Sequence, residues 1–405
     1  MNTDAQISEI IEKLKYSPMF NLSLSDKELF HSNFLSWLGN CKETEKLFEH
    51  VIRELTREPS GNDDFVWPAE GKTIKREKDN LDLSIRSKLD KKEKVEVVIE
   101  NKMKRLPDAS QLITYQNKVA EINKSFEGCR FVLLSLFPMT EKPKPAEIKR
   151  WKEKSYKDLA DALEEKVNEL VTDKTAYCQK LINDYIGFIR NLDEIAKLIK
   201  IEDGDKESYP YTSAPIYEKL ENARLHDFFL KAKYAQIAEM LYDELREHGW
   251  VVERAKKIIE NKKDGVMYVS HGFDRSGGFV MVEIPAKGFA YAIQVQDDYY
   301  NRGCSNATST YPRDIFGENE IEKAWVDFYG IVEPNMVHPN KEGKRYKKFE
   351  KEKQYSFRYR GVKISKANLF ATVKQLIDKI VEDVEGCLEF IKSTPPQTPA
   401  IPRKA

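Results

Sequence analysis

The stretch that decides the fold reads Leu81-Asp82-Leu83-Ser84-Ile85, then Val95-Glu96-Val97-Val98-Ile99-Glu100-Asn101-Lys102, then Gln111-Leu112-Ile113-Thr114-Tyr115. Alternation over 81–86 predicts a strand with Leu81, Leu83 and Ile85 on one face and Asp82, Ser84 and Arg86 on the other. The run 95–102 predicts a second strand, joined to the first by the charged turn Lys88-Leu89-Asp90-Lys91-Lys92. Glu100 and Lys102 are two apart, so they project to the same side, past the apolar centre of that strand. If the two strands pair, Asp82 comes beside Glu100. Pro107-Asp108 opens a helix to about Asn123, on which Gln111 and Tyr115 share a face.

Outward from this stretch, helical apolar spacing covers residues 4–15, a helix begins near Ser25 and stops at Gly39-Asn40, and a third covers roughly 42–57. Phe65-Val66-Trp67 leads into a first strand ending near Thr73. Downstream, Arg130 to Phe137 is an apolar run of buried-strand type, and helices follow near 156–170 and 175–200. The order predicts a mixed α/β core, αβββαβ, with helices flanking a four-stranded mixed sheet.

At 405 residues the chain is long enough for two domains. Residues 1–201 form the first; the acidic, turn-rich 202–215 is the expected linker. Residues 216–392 predict an α+β domain with an antiparallel sheet. It begins with a helix over 216–247, broken near Leu225, and has strands near 250–257, 265–270, 279–285, 289–296 and 354–361. Helices are expected near 319–329 and 366–392. The Pro- and Thr-rich tail, 393–405, is expected to be disordered.

Lys+Arg and Asp+Glu stand at 67 each, so net charge does not point to a polyanionic partner, and local charge has to. The cysteines, Cys41, Cys129, Cys178, Cys304 and Cys387, are scattered and include no Cys-x-x-Cys pair. That excludes a zinc knuckle and a disulfide framework and predicts a cytoplasmic protein. No apolar run approaches the ~20 residues that span a bilayer, and the N-terminus lacks a signal-peptide core. A homo-oligomer is compatible with the sequence.

Two carboxylates at one spot repel unless a cation lies between them. Oxygen ligands with no nearby His or Cys suit Mg²⁺ or Mn²⁺. Such an ion stabilises the charge of an in-line phosphoryl transition state, and a neighbouring lysine can hold the phosphate or orient the attacking water.

Asp82 followed by Glu100-Asn101-Lys102 resembles the Asp…Glu-x-Lys signature of the PD-(D/E)XK nuclease superfamily. Gln111-x-x-x-Tyr115 is similar to the Gln-x-x-x-Tyr motif of its RecB-like branch. Residues 28–38, together with Trp151 and Ser155-Tyr156, resemble an uncharacterised bacterial family of that superfamily, and the likeness covers about residues 20–200. The resemblance implies a restriction-endonuclease-like fold and a metal-dependent nuclease, with DNA favoured over RNA and a role in prokaryotic genome defence or restriction. It implies that Asp82, Glu100 and the Asn101 carbonyl bind the metal. Lys102 would be catalytic, Glu28 an extra acidic ligand, and Gln111 and Tyr115 supports of the site or the DNA backbone. Leu81 stands where the name-giving Pro would be.

Structural alternatives stand beside these roles. Ser25 and Glu28 fit a capping box, His31 can simply cap or pack, and Tyr115 can be a core aromatic with a satisfied hydroxyl. Lys104-Arg105 could meet a phosphate backbone. Residues 341–366 carry eleven Lys/Arg against three acids, with Arg358 and Arg360 alternating with aromatics, which fits either a nucleic-acid surface or an ordinary half-buried strand. A non-catalytic nucleic-acid-binding or assembly protein that keeps the nuclease fold is the competing function, and a purely structural interaction protein the third.

Overall fold

The computed structural model describes residues 3–23, 27–57, 67, 72–89, 92–103, 107, 109–139, 146–170, 175–209, 215–255, 263–274, 277–286, 289–306 and 357–393. The chain divides into two compact units. The first takes residues 1–200 and 218–232, the second 201–217 and 233–405. Lys104, Arg105, the expected helix at 319–329, most of the basic run 341–366 and the tail from 394 lie outside the described residues.

In the first unit, helices α1 (Thr3–Tyr16), α2 (Pro18–Ser23), α3 (Lys27–Asn40) and α4 (Glu45–Thr56) precede strands β1 (Thr73–Arg76), β2 (Leu83–Leu89) and β3 (Lys92–Lys102). Helix α5 (Ala109–Asn123) crosses to β4 (Arg130–Ser135), and β5 (Trp151–Ser155) leads into α6 (Tyr156–Val167) and α7 (Ala176–Leu198). The sheet order is β1-β2-β3-β4-β5, antiparallel through β3 and parallel from β3 to β5. The sheet has five strands where four were expected. The added one, β5, reads Trp-Lys-Glu-Lys-Ser, an edge strand whose charged residues hide it from an apolar-run criterion.

The burial of β3 explains its sequence. Its outer half alternates, while from Val97 to Lys102 every residue is buried, as expected of a central strand covered by helices on both faces. Helix α4 buries Leu47, Phe48, Val51, Ile52 and Leu55, the one-sided spacing of an amphipathic helix. Gly39 at the end of α3 is more than a stop signal. A Cβ there would lie 2.2 Å from Ile74 Cδ1 and 2.6 Å from Phe48 Cδ1, so α3 approaches β1 and α4 this closely only without a side chain. Helix α6 starts on a capping box in which Ser155 and Asp158 bond each other's backbone N–H.

The second unit holds a six-stranded sheet. Its strands are β6 (Val252–Arg254), β7 (Met267–Asp274), β8 (Gly277–Ala286), β9 (Phe289–Gln296), β10 (Tyr299–Asn306) and β11 (Phe357–Lys363), in the spatial order β11-β10-β9-β8-β7-β6. All pairs are antiparallel except β6–β7. Strand β10 was not expected from the sequence, because its Tyr-Tyr-Asn-Arg-Gly-Cys run lacks the alternation that marked its neighbours. The last helix, Val373–Ser393, buries Leu376, Ile377, Ile380, Val384 and Phe390. Its Asp383 is also buried, where it accepts from Tyr300 Oη at 2.7 Å and pairs with Arg302 at 2.8 Å. The stretch 202–209 is held to the start of that helix: Tyr209 N–H donates to Ala371 O, and Val373 N–H to Glu207 O.

Candidate active site

Strands β2 and β3 pair with Leu83 opposite Ile99. One further step brings Asp82 to the level of Glu100, and the Asn101 backbone N–H donates to Asp82 Oδ2 at 3.2 Å. Across the parallel strands Lys102 stands opposite Ser135, and Ser135 opposite Ser155. The Asp82–Glu100–Lys102 group therefore lies at the carboxyl end of the parallel strands, where α/β sheets open to ligands.

Helix α3 meets this edge. Asn101 Nδ2 donates to Ser32 Oγ at 2.6 Å. Glu28 is one turn before Ser32 on the same helix face, and its charge raises the pKa of Asp82. His31 is fully buried. Its Nδ1 bonds Tyr185 Oη at 2.8 Å and its ring stacks on Phe188 at 5.5 Å, so it packs, as the structural alternative expected.

A tight turn precedes Asp82. Glu77, Asp79 and Asn80 all adopt left-handed φ of 53°, 59° and 62°, conformations that cost non-glycine residues about 1 kcal/mol or more each. The turn is pinned by the wholly buried Arg86, which pairs with Asp79 at 2.8 Å and Glu93 at 3.1 Å and donates to Lys78 O at 3.2 Å. The sequence placed Arg86 on the same strand face as Asp82 but assigned it no role.

The electrostatics of the centre follow from burial. Glu100 is 0% and Lys102 3% exposed, and Lys102 Nζ lies 2.5 Å from Glu100 Oε1. Burial, and then the Asp82 charge, push the Glu100 carboxyl from 4.5 up to about 8 despite Lys102. Burial also raises Asp82, with Glu28 adding to it, while Glu100, Lys102 and the Asn101 N–H oppose. The Asp82 charge opposes ionisation of Glu100, so the two acids titrate as a coupled pair.

That surplus of oxygen fits a divalent ion. Glu100 Oε2 and Asn101 Oδ1 are buried acceptors with no hydrogen-bond partner among the described residues, and a hard cation would satisfy carboxylates that one lysine does not neutralise. Among the described residues no three His, Cys, Asp or Glu side chains form a ready-made cage. Mg²⁺ needs none, since it keeps several waters and takes one or two carboxylates.

On α5, Gln111 Nε2 donates to Tyr115 Oη at 2.7 Å. Burial and the charges of Glu100 and Asp82 hold the Tyr115 hydroxyl protonated, well above its ordinary range, so it faces the acid pair as a donor. The pair expected four apart on one face is thus joined to the carboxylates.

Residues 19–187 match the family model described as PD-(D/E)XK nuclease superfamily. Over these residues the chain is similar to that superfamily. The mixed sheet with its antiparallel meander and crossing helix is consistent with the restriction-endonuclease-like fold expected from the PD-(D/E)XK resemblance. The second unit lies beyond the match to the PD-(D/E)XK model. No curated protein and no solved structure matches the chain. Among the described residues no helix is long and apolar enough to cross a membrane.

Outside the PD-(D/E)XK region, Arg358 and Arg360 lie on β11 at the edge of the second sheet, opposite Cys304 and Arg302. Ser32 had no signal in the sequence. Only once α3 is known to cross the strand ends does its spacing from Glu28 mean anything.

Proposed function

We propose that this chain is a divalent-metal-dependent nuclease that hydrolyses phosphodiester bonds in DNA at the Asp82–Glu100–Lys102 centre. The observation that carries this is the buried Lys102–Glu100 contact beside Asp82, at the open end of parallel strands. Asp82 and Glu100 would hold Mg²⁺ or Mn²⁺, with the Asn101 carbonyl and Glu28 as further oxygen donors. When bound, the ion supplies positive charge that polarises the phosphodiester and acidifies water. Lys102 holds the scissile phosphate or orients the attacking water. Gln111 and Tyr115 fix the Glu100 carboxylate from the far side. Lys104 and Arg105, just past β3, supply phosphate contacts, and Arg358 and Arg360 offer a second DNA-facing strand. A place in prokaryotic genome defence or restriction rests on the superfamily resemblance alone.

Incubation of DNA with the protein in chelator, Mg²⁺ or Mn²⁺, beside Lys102→Ala, tests the proposal. Cleavage should need the metal and fall at least about a hundred-fold in the variant. Equal metal-dependent cleavage by both proteins would remove Lys102 from the mechanism. Salt-dependent DNA binding without turnover would establish the competing function, a nucleic-acid-binding protein on a nuclease fold.

A further inference from the structure

Tyr156 is the first residue of α6, directly after Ser155, which closes the row Lys102–Ser135–Ser155. The side chain is fully buried, its ring 5.0 Å from that of His31. Its hydroxyl has no hydrogen-bond partner among the described residues. Burial and the nearby charges of Tyr185, Glu28, Asp82 and Glu100 keep this phenol protonated, far above its ordinary range. It is therefore a donor under the influence of the acids of the candidate centre, bonded to none of the described residues.

Buried hydroxyls in folded proteins nearly always have partners, and one without a partner is destabilising. The neighbouring buried phenol obeys the rule: Tyr185 Oη bonds His31 Nδ1 at 2.8 Å. Packing does not account for the oxygen of Tyr156, because phenylalanine would fill the same space against His31. The Tyr156 ring packs on His31 of α3, the helix that also carries Glu28, whereas Tyr115 comes from α5 and has Gln111 as its partner.

Resting on the proposed function, we infer that Tyr156 is a further residue of the centre, whose hydroxyl donates to an oxygen that arrives when the site loads. That oxygen belongs either to water accompanying the divalent ion or to the phosphodiester. Both are strong acceptors beside a cation, and both supply a partner that none of the described residues provides.

Tyr156→Phe in the full-length protein removes the oxygen and keeps the ring. Mn²⁺ binding is measured by calorimetry. Affinity for duplex DNA in Mn²⁺ is measured in a Lys102→Ala background, so that the DNA stays intact. If the acceptor is water, Mn²⁺ binding weakens roughly ten-fold. If it is the phosphodiester, Mn²⁺ binding holds and DNA affinity falls by about the same factor. In either case the melting temperature in chelator stays level or rises, whereas Tyr185→Phe, which removes the buried bond to His31 Nδ1, lowers it. Unchanged Mn²⁺ and DNA affinities overturn the inference. So does a chelator melting temperature that drops as it does for Tyr185→Phe, since the hydroxyl would then have a structural partner. A wild-type protein that binds no Mn²⁺ overturns the metal centre itself, and that result is visible before any variant is made.

Discussion

Glu100 should make the metal-free protein less stable at neutral pH than in mild acid, and Glu100→Gln should remove that dependence. The carboxyl is wholly buried and raised from 4.5 to about 8, by burial first and the Asp82 charge second. The folded state thus retains a proton that the unfolded chain releases once the pH passes 4.5. The contribution of Glu100 to stability is full below that value, falls as the pH climbs towards 8 and is flat above. From pH 5 to 7.5 the change is about 3 kcal/mol, at about 1.4 kcal/mol per pH unit. Burial of His271, held at about 4, works the other way between 4 and 6.5, so the quantity to measure is the difference between wild type and Glu100→Gln. Urea unfolding in chelator at both pH values gives it. The variant should gain on the wild type as the pH rises, and Mn²⁺ should stabilise the wild type alone. A difference that is the same at pH 5 and 7.5 would refute the account of Glu100 as a buried acid awaiting a cation.

Three further outcomes follow from the geometry. Arg86→Met should cost about 1–3 kcal/mol in chemical unfolding, because it removes the buried guanidinium that pairs with Asp79 and donates to Lys78 O, while Glu93 keeps its pair with Lys78; no measurable change would mean that the 77–80 turn holds itself. Gly39→Ala should destabilise by about 1–3 kcal/mol, since the added methyl meets Ile74 and Phe48, and a neutral melting curve would show that α3 can shift. Ser32→Ala strands the Asn101 amide and should cost about 1 kcal/mol of stability while lowering cleavage more than its effect on folding; loss of stability with full activity would make Ser32 purely structural.

Much of the first unit was legible because its elements are strongly periodic. The alternation over 81–86 and the apolar run 95–102 set two adjacent strands, and spacing alone put Glu100 with Lys102 and Gln111 with Tyr115. Strand β5 escaped because a charged edge strand has no core-facing run to betray it. Strand β10 escaped for want of alternation.

The sequence by itself determined the covalent order of the acids and the lysine, the faces they share, and hence the likeness to the superfamily. Such properties are local: a period of two or of 3.6 holds whatever packs against it. Tertiary structure alone decided that Glu100 and Lys102 are sealed from water, that Ser32 holds Asn101, that Arg86 anchors the turn before Asp82, and that the hydroxyl of Tyr156 is buried with no partner among the described residues. Each depends on which distant segments cover a strand end, and desolvation, the largest influence on Glu100, comes from that covering and not from any neighbour in sequence.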